Sequence, residues 1–183
     1  MKLLGYILTE LLSLALVVVL MRFLLQLARA DFRNPICQAV VRLTNPLIIP
    51  LRRILPPVRK IDTATVVAVL MIASVLVAVG FALLIEMIPG DALIWIQQIV
   101  LTIVYLVPWI YFWAIIVYAL LSLVAPGGYS PLQSVLASLC EPVLAPFRRI
   151  IPGISGIDLS PLWACIAIQV ILYFLPRPLF FAW

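Results

Sequence analysis

The chain of 183 residues contains no histidine. That absence removes His-ligated zinc, His-ligated haem and every catalytic triad with an imidazole base. Cysteine is scarce: Cys37, Cys140 and Cys165 make an odd count of 3, with no C-x-x-C spacing. Neither a disulfide framework nor a thiolate metal site fits them, and they read as small apolar residues. Charge is scarce too. Asp, Glu, Lys and Arg make up 10% of the chain, against roughly 25% in an average soluble domain. Hydrophobic residues make up 66%, and the mean hydropathy is +1.27. A soluble fold of about 150 residues buries only roughly 70% of the surface its unfolded chain exposes. This much apolar side chain cannot all be hidden from water. The same numbers exclude disorder. The composition is that of an all-α integral membrane protein, with hydrocarbon as much of its solvent. The net charge of +5 is expected to serve orientation and anionic lipid headgroups, with no direct nucleic-acid partner.

Crossing about 30 Å of hydrocarbon takes roughly 20 helical residues. Four apolar stretches qualify: about 4–27, 65–85, 100–123 (within a longer run, 93–124) and 159–175. Glu10 and Arg22 interrupt the first. Each lies near an estimated span end, so both are expected to snorkel. The third run is too long for one upright span, so its first turns, with Gln97 and Gln98, belong at the interface or the helix tilts. Pro108 is expected to kink it. Gln169 in the fourth span is expected to bond a neighbouring helix. Pro176-Arg177-Pro178 stops that span. Lys2 and the small-residue Ala28-Arg29-Ala30 mimic a signal peptide. The run between them is longer than the usual 7 to 15 residues or so and carries charge, so it reads as a retained span.

The strongest pattern is an internal repeat. Asn34-Pro35 opens a segment ending at Ile61-Asp62, and Ser130-Pro131 opens another ending at Ile157-Asp158, at a constant offset of 96. Ten of 28 aligned positions are identical, including four prolines, the Arg52-Arg53 pair against Arg148-Arg149, and Asp62 against Asp158. Two unrelated apolar stretches would match in Leu and Val, not in prolines and paired arginines. The offset also carries the first span onto the third and the second onto the fourth. The expected architecture is two parallel-oriented repeats, 1–91 and 92–183, each span–interfacial amphipathic helix–span, with four transmembrane helices in total. An even number of spans per half gives both halves the same orientation. The turn Ile88-Pro89-Gly90-Asp91 joins them.

The interfacial segments are 34–62 and 130–158. Asn34 and Ser130 are good N-caps, and Pro35 and Pro131 suit the first helical position. Ile36, Ala39, Val40 and Leu43 recur at helical spacing, as do Leu132, Val135, Leu136 and Leu139, each giving an apolar face. Gln38 and Arg42, or Ser134 and Ser138, take the other face. Pro46 and Pro142 are expected to end these helices. A second short helix or turn then carries each Arg-Arg pair. Asp62 and Asp158 precede the next spans, as caps or as partners of the arginines; the two roles are compatible.

Nine cations fall on one side: Arg29, Arg33, Arg42, Arg52, Arg53, Arg59, Lys60, Arg148 and Arg149. Lys2 and Arg177 fall on the other, with Glu86 and Asp91. The positive-inside rule then places both Arg-Arg loops in the cytoplasm and both termini outside. Trp95 and Trp183 are expected at the outer interface.

These residues also carry a family likeness. Ser130-Pro131-Leu132, Glu141-Pro142-Val143-Leu144-Ala145-Pro146-Phe147-Arg148-Arg149-Ile150-Ile151-Pro152 and Gly156-Ile157-Asp158-Leu159-Ser160-Pro161 resemble the signature of the YggT family, also called YlmG. The first half repeats it more loosely, with Asn45 for the acid, Lys60 for the glycine and no Ser-Pro after Asp62. The resemblance covers nearly the whole chain. It implies a bacterial inner-membrane, multi-pass protein linked to osmotic-stress tolerance and to division or envelope regions. Plastid relatives are linked to haem attachment in a cytochrome b-type complex and to nucleoid organisation.

Arg52, Arg53, Arg148, Arg149, Asp62 and Asp158 are the candidate lipid- or partner-binding residues. The arginines have three readings: topology signals, ligands for anionic lipid or a partner, or part of a transport path. The expected function is a non-enzymatic scaffold, assembly or envelope-stress factor. Its partners would be the bilayer, anionic headgroups, and a membrane protein or second copy. The alternative is a small channel or transporter component in osmotic or ion homeostasis. No catalytic group, cofactor site or metal site is expected.

Overall fold

A computed structural model describes residues 2–55, 62–85, 88–124, 130–150 and 158–180. Pro56, Pro152, the Arg59-Lys60 pair, Glu86, Gly156-Ile157 and Trp183 lie outside the described residues. Described secondary structure is entirely helical: α1 (Lys2–Leu27), α2 (Pro35–Ile54), α3 (Thr63–Gly80), α4 (Ala92–Val124), α5 (Pro131–Ile150) and α6 (Ser160–Phe174). A π-helical turn, Phe81–Ile85, prolongs α3.

Three stretches are long and apolar enough to cross a membrane: Lys2–Leu27, Thr63–Ile85 and Ala92–Val124. The expected fourth span is shorter. α6 has 15 residues, a rise of about 22 Å against roughly 30 Å of hydrocarbon. α4 is one unbroken helix of 33 residues through Pro108.

The helix ends follow local chemistry. At the end of α1 the Ala30 amide donates to Leu25 and the Arg29 amide to Gln26. That pair of bonds needs a left-handed residue between them, and Arg29 supplies it at φ 54. Glycine is the usual choice there. Asn34 caps α2, its Oδ1 accepting from the Ile36 amide at 2.9 Å. Asp91 Oδ1 accepts from the Leu93 amide at 2.8 Å and starts α4. Trp95 ties the preceding turn by donating to the Pro89 carbonyl at 3.0 Å.

Packing uses small residues where backbones approach. Gly5, Thr9 and Ser13 are buried along one stripe of α1, and Ala64, Ala68, Ala73 and Gly80 along α3. This is how helices associate when the surroundings are as apolar as their side chains. A methyl group on Gly5 would sit 2.8 Å from Leu83 Cβ, and one on Gly80 would strike the Phe180 ring at 2.4 Å. Phe180 seals that end, stacking edge-on against Phe81 at 4.9 Å. Outward positions such as Leu70, Met71, Val75, Leu120 and Ile166 are exposed apolar residues. A contiguous apolar exterior of this kind suits hydrocarbon, not water.

One sequence expectation for the amphipathic helices is corrected. Pro46 and Pro142 do not end them: α2 and α5 run on through Pro46 and Pro50, and through Pro142 and Pro146. Proline deprives the carbonyl four residues earlier of its donor. All four prolines lie on exposed positions, where that carbonyl can find another partner. The side of α2 that packs on the protein is not centred on its apolar stripe of Ile36, Ala39, Val40 and Leu43. Cys37, Thr44 and Ile48 face inward, whereas Leu43 is 71% exposed. In α5 the expected Val135, Leu136 and Leu139 are buried, joined by Cys140 and Leu144. The two helices meet where Asn34 Nδ2 donates to the Pro131 carbonyl at 2.8 Å.

Candidate functional site

The C-terminal ends of α2 and α5 hold the candidate residues. In the first half, Asp62 stands at the N-cap position of α3. It is 2% exposed, and Arg52 Nη2 reaches its Oδ2 at 2.5 Å. Arg52 Nε donates to Oδ1 at 3.4 Å, and the Thr65 hydroxyl donates to Oδ2 at 2.7 Å. Burial works against the charged carboxylate. The Arg52 and Thr65 hydrogen bonds and the Arg52 and Arg22 charges outweigh it and hold the acid below its ordinary 3.8.

In the second half, Arg148 Nε donates to Asp158 Oδ2 at 2.9 Å and Nη1 to Glu141 Oε2 at 2.6 Å. Asp158 keeps a capping role, its Oδ1 accepting from the Ser160 amide at 2.9 Å. Burial again opposes ionisation, and the Ser160 and Arg148 bonds again prevail, so Asp158 also titrates below 3.8. Burial opposes the Arg148 charge, but the Asp158 hydrogen bond and the nearby Glu141 and Asp158 carboxylates outweigh it and hold the guanidinium above its ordinary value. Both aspartates therefore pair with the first arginine of their motif. Asp158 caps its helix through a backbone bond, whereas Asp62 has no such bond.

The second arginines behave differently. Arg53 and Arg149 are exposed and have no side-chain partner among the described residues. Glu10 likewise has none and is half-buried.

The residue that sequence reasoning misplaced is Arg22. It was expected to snorkel. Instead it is 4% exposed, and its Nη1 donates to Thr44 Oγ1 at 2.6 Å, Asn45 Oδ1 at 3.1 Å and the Val41 carbonyl at 3.5 Å. α2 lies over that end of α1 and supplies these acceptors. A cavity of about 440 Å³ opens beside it, bounded by Arg22, Arg42, Arg52, Gln26 and Gln38. Gln169 is also corrected. It is exposed on the wall of an apolar groove of about 860 Å³ between α4 and α6, with no hydrogen bond to another described side chain. The described residues hold no cluster of acids and cysteines able to bind a metal.

Three apolar helices of crossing length, with two proline-containing basic helices laid against them, make an all-helical architecture that suits a membrane. The chain belongs to the CCB3/YggT family, whose sequence profile matches residues 1–86 and again 97–179. An uncharacterised protein of Pseudomonas aeruginosa is 43% identical over 169 residues, covering 91% of this chain and 84% of its own length. One from Vibrio alginolyticus is 39% identical over 173 residues, 92% of this chain and 91% of its own. The uncharacterised protein YggT of Escherichia coli K12 is 35% identical over 171 residues, 93% of this chain and 88% of its own. No solved structure matches the chain.

Proposed function

We propose that this is a non-enzymatic, multi-pass inner-membrane protein acting as a scaffold, assembly or envelope-stress factor. The basic ends of α2 and α5 face the cytoplasm and engage anionic lipid or a partner membrane protein. The observation that carries the reading is a division of labour within each Arg-Arg pair. Arg52 and Arg148 are tied to Asp62 and Asp158, which fixes the helix end. Arg53 and Arg149 beside them point outward, exposed. A topology signal needs charge alone; it does not need one arginine clamped and its neighbour free at the same place in each half.

The same proposal takes α6 as a fourth, short crossing and the halves as parallel repeats. Three findings support it. α2 and α5 begin and end at positions 96 apart. α4 packs on α5 and α6 as α1 packs on α2 and α3. The family profile matches twice along the chain.

The deciding experiment replaces Arg53 and Arg149 by lysine, keeping charge but losing the planar fork that meets phosphate or carboxylate with two bonds. The protein should accumulate normally and co-purify with less anionic lipid or partner. Full retention leaves the pairs as topology signals. The channel reading is tested alongside, by ion flux from purified protein in liposomes. Selective flux would replace the scaffold with a transport role.

A further inference from the structure

The cavity at the corner of α1 and α2 has the chemistry of an anion site, and only in the first half. Arg22 is buried, yet its hydrogen-bond partners are all neutral and all use one nitrogen, Nη1. A guanidinium has five N–H donors. Nη2 and Nε meet no acceptor among the described residues. The nearest acid, Asp62, is already engaged by Arg52 and Thr65. Arg42 and Arg52 bound the same cavity. Three cations thus face one space with a single carboxylate among them. Asp62, the counter-charge that Arg22 feels, is shared with Arg52, whose own charge opposes that of Arg22. A buried charge so incompletely matched is costly, and an anion in the cavity would relieve it. The volume of about 440 Å³ lies within the usual range for small-ligand sites.

The second half shows the site undone at the same positions. The counterparts of Arg22, Arg42 and Gln38, at an offset of 96, are Tyr118, Ser138 and Ser134. Asn45 is matched by Glu141, which pairs with Arg148. The cation is withdrawn from the span and an acid is added to the helix, so no surplus positive charge remains there.

We propose that the Arg22–Arg42–Arg52 cavity binds one phosphate group, as a free anion or as the headgroup of a phospholipid. Arg22 lies five residues before the end of α1, about 8 Å along the axis, a depth that a headgroup can reach. The inference rests on the membrane reading above but not on the outward arginines.

The test uses the full-length protein in phosphatidylcholine nanodiscs, titrated in one arm with inorganic phosphate and in the other with phosphatidylglycerol. Stoichiometry is read by native mass spectrometry and stability by thermal unfolding. Saturable binding of one phosphate group per chain is expected in at least one arm, and the responding arm identifies the source. Arg22→Gln and Arg42→Gln should each weaken it roughly tenfold or more, the scale of a lost charge-assisted hydrogen bond. Arg42→Gln keeps the test valid if Arg22→Gln fails to fold, since Arg42 is exposed. Ser138→Ala, at the counterpart position, should bind as the parent does. Unchanged binding in Arg42→Gln, or equal loss in Ser138→Ala, overturns the site. Lipid enrichment that follows charge without saturating also overturns it, while leaving the role of Arg53 and Arg149 standing.

Discussion

Arg22 and its counterpart show how a residue can be seen in a sequence and still be misplaced. Its charge within an apolar run is plain, and so is its alignment with Tyr118. What is not legible is that α2 folds back over it. Only that contact makes sense of three paired exchanges: Arg22 for Tyr118, Thr44 for Cys140 and Asn45 for Glu141. Thr44→Val should cost about 1–3 kcal/mol in thermal unfolding in detergent, because it strips an acceptor from a buried guanidinium. The triple change Arg22→Tyr, Thr44→Cys, Asn45→Glu should recover much of that loss by installing the second-half set, a pattern a double- and triple-mutant series can resolve. For Asp62 and Asp158 the sequence offers two roles, helix cap and arginine partner, and the fold uses the second in both halves. Both acids titrate low in the fold. Their contribution is present above the ordinary 3.8 and disappears as pH falls through the lower folded values. Thermal stability should therefore fall as pH drops from about 5. Asp62→Asn should flatten that acid limb more than Asp158→Asn, since the Asp158 side chain is 44% exposed and the Asp62 side chain 2%.

Among the elements, the long apolar helices could be read directly, because a bilayer demands length and apolarity over a continuous run. The amphipathic helices were harder. Proline looked like a stop, yet its cost is local, one lost bond per ring, and falls on the exposed face here. In water the largest apolar side chains of α2 would pack inward. Beside a bilayer that logic weakens: Leu43 gains as much from hydrocarbon as from a protein core. Close approach then decides which face packs, and small residues decide close approach. Gly5→Leu should disrupt the α1–α3 contact by about 1–3 kcal/mol, since its first methylene already meets Leu83. Gly80→Val should displace Phe180 and leave Trp95 and Phe81 more accessible, measurable as a red shift or increased quenching of tryptophan emission. Unchanged emission would place the aromatic seal elsewhere.

At the scale of the whole molecule, the crossing number turns on α6. On a cysteine-free background, a cysteine at Gly90, which has open space around it, should react with impermeant reagent from outside, and one at Arg149 only after lysis. A cysteine at Arg177 should follow Gly90 if α6 crosses, and Arg149 if it does not. α2 and α5 match in length, 20 residues each, and pack on corresponding neighbours, but the charges around them do not match. Around the C-terminal part of α2, Arg22, Arg42, Arg52 and Arg53 have Asp62 for an acid, with Asp31 back at the N-terminal end among Arg29 and Arg33, while around α5, Arg148 and Arg149 are balanced by Glu141 and Asp158. In the proposed parallel-repeat arrangement, half a turn about the membrane normal would bring α2 onto α5 and mismatch the electrostatics. The protein would then have a compass direction within the plane of the membrane. Anionic lipids would gather on one flank only, and a neighbouring copy would meet either a cationic side or a neutral one. Clusters of such molecules would then pack with their neutral flanks together, held apart elsewhere by repulsion that fades within about 10 Å at 0.1 M salt.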